Sequence, residues 1–446
     1  MPFESIHRAV FNLFLCVLLL SSQFAGSSQT PGAVLHRSSL AVQLKTKFPR
    51  VKGEVVSVAL SPDDRILVPI TSQKTTELWD TQTGGLIATV EGQILLPMSP
   101  SGSLAGYAFS ADSKTLMTIA GKDAKLWDTA NGKLKRTLNG HTKDIRSAAF
   151  SPDGNTLATA SADGMVKLWD ATSGNLKMTL EVFKVKKYSR WRVISRKLAS
   201  FFAEVSVYFS ADGKKLLTVP FQQETKLWDA NTGAPVAVLG KNYSGHFSPS
   251  GRFIFTQRAD FSGADLWETE TGKLLLTVEG GPAAFSPDEQ WLGLVGYQGR
   301  RGLLNLNTMK LEKPLGLSLN DFETWTAFSP DSKTFALASG LNGHSVTLVD
   351  ISDGRVLANL PIEAKRGFDL VSDYLKYWEK LSFDPHSRFL MGANQTQVRF
   401  WDLKAGAKLN TINEGRDPAI ISGSGEFVVT TDRDQKGLSL WQLKVG

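Results

Sequence analysis

A chain of 446 residues with 25 Phe and 42% hydrophobic residues is longer than an ordinary single-core domain and too apolar to be disordered over most of its length. Its 50 Lys and Arg against 43 Asp and Glu leave a formal net charge of only +7. The single cysteine, Cys16, excludes an internal disulfide framework, and loss of the leader would remove any thiolate metal site or cysteine nucleophile as well. That leader is the first element. Arg8 precedes an apolar run from Ala9 to Leu20, about a dozen residues, which is short for a bilayer span and suits the core of a signal peptide. Small residues at Ala25, Gly26 and Ser27 fit cleavage after Ser27. Residues 1–27 are therefore expected to be a signal peptide, leaving no transmembrane span once removed and an exported protein, periplasmic or extracellular. An uncleaved membrane anchor is the alternative. Residues 28–40 read as a flexible leader.

From residue 41 onward one pattern repeats. Each unit opens on Phe-Ser-Pro-Asp-Gly or a variant of it. The copies are Leu60-Ser61-Pro62-Asp63, Phe109-Ser110-Ala111-Asp112, Phe150 to Gly154, Phe209 to Gly213, Phe247-Ser248-Pro249, Phe285 to Asp288, Phe328 to Asp331, Phe383-Asp384-Pro385 and Ile421-Ser422-Gly423. About 18 residues further on comes a Trp-Asp pair or its relative. These are Trp79-Asp80, Trp127-Asp128, Trp169-Asp170, Trp228-Asp229, Trp267-Glu268, Trp401-Asp402 and Trp441-Gln442. Leu306-Asn307 and Val349-Asp350 hold that place in two further units. A period of about 40 residues marks a repeat architecture. In the third unit the elements are a small-residue strand at Arg146–Phe150, a tight turn at Ser151-Pro152-Asp153-Gly154, a strand at Thr156–Ala160 and a turn at Ala162-Asp163-Gly164. An alternating strand at Met165–Trp169 and a fourth at Leu176–Leu180 complete it. Pro presets φ in the first turn and Gly supplies its left-handed position.

Four strands with these turns, repeated, make a propeller blade. With Ser-Pro-Asp-Gly, Leu-Trp-Asp and Thr-Gly recurring together, the chain resembles the WD-repeat (WD40) β-propellers, in a bacterial dialect, from about residue 43 to 446. The resemblance implies an all-β fold, a single β-propeller of four-stranded blades over residues 41–446. Nine signatures point to nine blades, with eight as the alternative if a degenerate unit is absorbed. The chain ends just after Trp441–Val445 with no fourth strand for that blade. Ala41–Phe48, which has no sheet of its own, is expected to pair there and close the ring. In this family a Gly-His dipeptide, an Asp in the second turn and the Trp share a side-chain hydrogen-bond network. Only the third unit has all three, as Gly140-His141, Asp163 and Trp169, so the other blades are expected to rely on packing.

Function in a repeat protein tends to sit where the period breaks. Trp-to-Trp spacing is 39 to 43 in the regular stretches but 59 between Trp169 and Trp228, 52 between Val349 and Trp401, and 48 between Trp79 and Trp127. Each excess falls between the last strand of one blade and the first of the next, so the insertions should share one face. The largest, 182–204, holds seven Lys and Arg against Glu204 alone. With Trp191, Ile194, Leu198 and Phe201 at helical spacing it reads as a basic amphipathic helix able to meet an anionic surface. The insertion 363–379 is aromatic-rich. Candidate partner-binding residues are Arg190, Trp191, Arg192 and Arg196 in the first insertion, Arg300 and Arg301 in a turn of the sixth unit, and Tyr374, Tyr377 and Trp378 in the second insertion. Tyr, Trp and Arg are the residue types that anchor interfaces.

Catalytic chemistry is absent from the linear pattern. The six His residues (His7, His36, His141, His246, His344 and His386) stand at no ligand spacing with one another, so no metal site is expected. The Asp residues of the Ser-Pro-Asp turns each have a local task, and no phosphate loop or nucleophile elbow appears. Gly245-His246 and Gly343-His344 look like the family dipeptide but fall at the wrong place in their units. The expectation is a non-catalytic interaction scaffold outside the cytoplasm, with no cofactor and no specific nucleic acid. Its partner would be a protein or peptide, with an anionic surface a further possibility through 182–204. A propeller enzyme with its site in the channel, or surface attachment through the basic insertion, are the alternatives.

Overall fold

Strand-forming runs separated by Gly- and Pro-containing turns become antiparallel meanders in the computed structural model. It describes residues 40–95, 108–184, 205–221, 223–259, 263–279, 281–295, 302–314, 323–339, 345–361, 380–394, 397–403, 408–413, 415–432 and 434–445. The compact unit is Ser38–Gly446, and all of its named elements are strands. After β1 (Leu40–Lys47) the first unit supplies β2 (Val55–Leu60), β3 (Ile66–Thr71), β4 (Thr75–Asp80) and β5 (Leu86–Glu91), hydrogen-bonded in chain order. Burial follows place in the sheet. In β3 all but Thr71 are buried, whereas in β5 only Val90 is. The third unit does the same: Leu157–Ser161 is buried throughout, and Leu176–Glu181 buries only Leu180. The fourth strand is therefore the rim. The second strand, buried almost throughout, runs apolar or small, whereas the third keeps an alternation, as in Met165–Asp170.

The same meander recurs along the chain, in units 281–314, 323–361 and 380–412. The second unit has three named strands, with Phe109 bridging to Leu116 in place of the first. The fourth and fifth units are fused in one seven-stranded sheet. Its 13-residue strand Pro235–Phe247 pairs backward on Glu224–Asp229 through its first half and forward on Phe253–Arg258 through its second. Cores lie between sheets rather than within them. Leu168 and Leu180 of the third unit cluster with Val205, Val207 and Leu216 of the fourth.

The ring closes as the sequence suggests. β1 pairs antiparallel with the last strand, Leu438–Val445, placing Leu44 opposite Trp441. The pairing begins one residue before the expected Ala41, because the Leu40 side chain, 5% exposed, packs with Phe389, Phe400 and Leu443. Beyond the strand, Phe48, Val51 and Val55 donate backbone hydrogen bonds to Leu438, Lys436 and Gln435. Val429, Leu438 and Leu440 of the last unit share a core with Phe48, Val58 and Trp79 of the first.

Candidate functional site

The repeat residues define a hydrogen-bonded relay inside the third unit. Trp169 Nε1 donates to Thr159 Oγ1 at 2.8 Å, Thr159 Oγ1 meets His141 Nε2 at 2.9 Å, and His141 Nδ1 meets Asp163 Oδ2 at 3.0 Å. Burial lowers the pKa of His141, outweighing the opposite pull of Asp163. Burial alone would raise the pKa of Asp163, but hydrogen bonds from the Thr142 and Met165 amides and from His141 hold it below the usual carboxylate range. A neutral imidazole donating from Nδ1 to an ionised Asp163 and accepting from the Thr159 hydroxyl satisfies each member, an assignment made from the partners. The relay is structural: every group is committed to its neighbour.

Four other units keep half of it. Trp127, Trp228, Trp267 and Trp441 donate to Thr118, Thr218, Thr256 and Thr430 at 2.8 to 3.0 Å. The expectation that blades lacking the His rely on packing is corrected to that extent, because the Thr sits on the second strand beside the Trp. In the first unit Pro69 takes the Thr position, and Trp79 Nε1 is buried with no partner among the described residues.

Adjacent strands are antiparallel, so the first-to-second and third-to-fourth turns share one end of each blade. Second-to-third turns and the connections between blades share the other. The first end is tied down. In six units the Ser hydroxyl donates to the turn Asp at 2.5 to 2.6 Å. That bond is the leading reason why Asp112, Asp153 and Asp212 lie below the ordinary carboxylate value. Turns also bond to their neighbours. The Asp63, Asp288 and Asp331 amides donate to Ser113, Ser332 and Ser387, and the Gly423 and Ser424 amides donate across the ring seam to Asp64 at 3.0 Å. The turn carboxylates are engaged in these bonds, a poor starting state for acid–base work.

Between the first strands of consecutive units lies a cavity of about 720 Å³. Its wall includes Phe109, Phe150, Phe209, His246, Phe247 and Phe285, and its rim includes Pro62, Pro152 and Pro249 of the Ser-Pro turns. His246 stands 6.2 Å from the rings of both Phe255 and Phe285. Burial among them pushes its pKa down to about 4, so the ring is neutral near pH 7. Its accessible edge faces the cavity rather than open solvent. Among the described residues no group of three or more His, Cys, Asp or Glu gathers into a metal site.

A family profile described as WD domain, G-beta repeat matches residues 132–170, which contain the relay of the third unit. The chain belongs to the WD40-repeat family. A guanine nucleotide-binding protein subunit beta from Oryza sativa subsp. japonica is 27% identical over 203 residues, 44% of this chain and 49% of that protein. A pre-mRNA-processing factor 19 homolog 2 from Arabidopsis thaliana is 26% identical over 225 residues, 41% of this chain and 42% of that protein. The chain thus spans about half the length of the curated relatives it matches. The crystal structure of the computationally designed Ika8 protein superposes with a TM-score of 0.52 at 16% identity, covering 90% of this chain and 99% of that one. That likeness speaks for the fold, an all-β propeller.

Most of the repeat tryptophans are buried, while Trp267 and Trp441 are half-buried. Trp79, Trp127, Trp169, Trp228 and Trp401 are buried, and Asp80, Asp170 and Asp229 accept amide hydrogen bonds two and three residues on, within the Thr-Gly turns. Asp128 accepts from Ala130, and Asp402 is buried. The candidate partner-binding residues (Arg190, Trp191, Arg192, Arg196, Arg300, Arg301, Tyr374, Tyr377 and Trp378) lie outside the described residues, as do the signal peptide and residues 28–39. The flanks of the first insertion are described. Val182, 2% exposed, belongs to the core between the third and fourth units and its amide bonds to Gly164, so position 182 is part of the sheet core rather than of the insertion. Thr159 and the cavity wall were not picked out from sequence. The Thr could have been found by its place nine to eleven residues before five of the Trp, and the wall by the Phe that opens most units.

Proposed function

We propose that this WD40 protein is a non-catalytic scaffold, nine-bladed and exported from the cytoplasm, that binds a protein or peptide on the blade end carrying the connections between units. One observation carries the reading. The long segments leave the described sheets between Leu95 and Ala108, between Lys184 and Val205, and between Pro361 and Lys380, each time from an outermost strand to the next innermost one. All three therefore issue from a single end, while the other end is occupied by turns bonded to one another. A rigid ring holding several variable segments at fixed spacing lets one partner meet many of them with little ordering cost. The relatives support protein binding: one is by name a subunit of a guanine nucleotide-binding protein. Export is supported by the apolar run after Arg8 and the small residues ending at Ser27. Among the described residues no helix is long and apolar enough to cross a membrane.

The test replaces 185–204 with a short Gly-Ser linker, sparing Val182. Affinity capture from an envelope fraction should lose its specific protein partner while the circular dichroism of the sheets stays the same. An unchanged capture profile would remove this segment from the reading. The seven basic residues of 182–204 favour attachment to an anionic surface as a second reading, and binding of the intact chain to anionic vesicles that the linker variant lacks would support it.

A further inference from the structure

We propose that the channel cavity beneath the Ser-Pro turns is a binding site for a small aromatic molecule carrying a hydroxyl group. The volume of about 720 Å³ lies within the roughly 300–1,000 Å³ of small-molecule sites. The wall is aromatic: Phe109, Phe150, Phe209, Phe247 and Phe285 offer faces and edges to a flat apolar body. Two polar groups on that wall are left uncommitted by the protein. His246 has no hydrogen bond among the described residues, and its ring neighbours are Phe255 and Phe285. A neutral imidazole there presents one donor and one acceptor nitrogen.

Ser248 is the second group. In six other units the corresponding hydroxyl gives its proton to the turn Asp. In this unit residue 250 is a serine whose own hydroxyl turns away to Glu289 at 2.6 Å. Ser248 still accepts from the Phe253 amide, but its proton has no carboxylate to go to. His246 and Ser248 both line the cavity. A phenol-like hydroxyl can donate to the imidazole and accept from the serine, satisfying both at once. The fifth unit's loss of the turn Asp and its misplaced Gly-His pair thus fall on the same wall. On the rim the Asp63 amide donates to Ser113, and the Ser250 amide and hydroxyl donate to Glu289, which fixes those turns.

The test titrates the full chain with 2-naphthol, followed by its fluorescence, with naphthalene as the analogue lacking the hydroxyl. Saturable binding of 2-naphthol at one site is expected. His246→Phe keeps an aromatic ring against Phe255 and Phe285, and should weaken 2-naphthol roughly tenfold while leaving naphthalene within about twofold. Ala211→Trp, at an exposed turn position on the cavity rim, should abolish binding of both. No saturable 2-naphthol binding by the unaltered chain, or Ala211→Trp binding it as before, would overturn the site. Equal losses for both probes in His246→Phe would overturn recognition of the hydroxyl. The linker variant of 185–204 should bind 2-naphthol normally, since that segment departs from the opposite blade end, so this inference and the scaffold reading fail separately.

Discussion

Thr159 shows how much one hydroxyl can carry. It is fully buried and is the shared partner of Trp169 Nε1 and His141 Nε2. Thr159→Val keeps the shape but strands both groups, at about 1–3 kcal/mol for each buried polar atom left unpaired. A loss of roughly 2–4 kcal/mol is expected, with Thr256→Val costing about half because, among the described residues, only Trp267 donates to that hydroxyl. Shifts in urea midpoint would show it, and equal costs at the two positions would refute the relay. Acid should act on the histidines first. His246 titrates at about 4 in the folded chain against 6.5 when free, so below pH 6.5 the unfolded chain takes the proton first. Its contribution is complete above 6.5 and drains away as pH falls toward 4. The shift caps the effect at about 3 kcal/mol, and the edge open to the cavity reduces it. His141 acts in the same direction. The turn carboxylates Asp112, Asp153 and Asp212, held below 3.8, stabilise above that value and lose their effect only at lower pH. Melting temperatures across the 6.5-to-4 window should therefore fall less steeply in His246→Phe than in the parent; parallel slopes would count against the buried imidazole.

At the scale of the strand, Pro69 is the informative exception. The ladder between β3 and β4 has register only at Ile66–Asp80 and Leu67–Trp79, whereas the matching strands of the second unit stay paired from Thr115 to Ala120. Proline has no N–H to give, and without a threonine there Trp79 Nε1 has no acceptor. Pro69→Thr should extend the ladder and satisfy the indole, stabilising the protein by about 1–2 kcal/mol. A lower urea midpoint would contradict that account. Most strands were legible in advance because their punctuation is chemical. In the third unit Ser-Pro-Asp-Gly and Ala-Asp-Gly bracket Thr156–Ser161 almost to the residue. Pro235–Phe247 was harder to read as one piece. Its interior Gly240 and Asn242 look like a break, yet the strand passes through them, with the Asn242 side-chain Nδ2 donating to Leu239 O at 2.7 Å. Thr159 was hidden for a different reason: threonine is an ordinary strand former, so its presence in a strand signals nothing by itself.

For the molecule as a whole, closure depends on residues far apart in sequence. A chain starting at Phe48 would leave Leu438–Val445 as an exposed edge and take Leu40 from the core it shares with Phe389. Such edges pair with whatever strand is available. The shortened protein should self-associate in sedimentation and melt earlier; a monomer of unchanged midpoint would show that β1 is dispensable. The closure was legible because an orphan strand at one end matched an incomplete sheet at the other. The binding surface was legible only as an address, since the long connections sit where the period breaks while their candidate residues lie outside the described ones. The shared strand has a mechanical consequence. Most sheets meet through side chains and turn contacts and can tilt against one another, but Pro235–Phe247 is a continuous backbone beam running through two of them. Flexing of the ring must then be distributed unevenly: the arc from 205 to 278 moves as one stiff plate, and thermal breathing is pushed into the remaining seams.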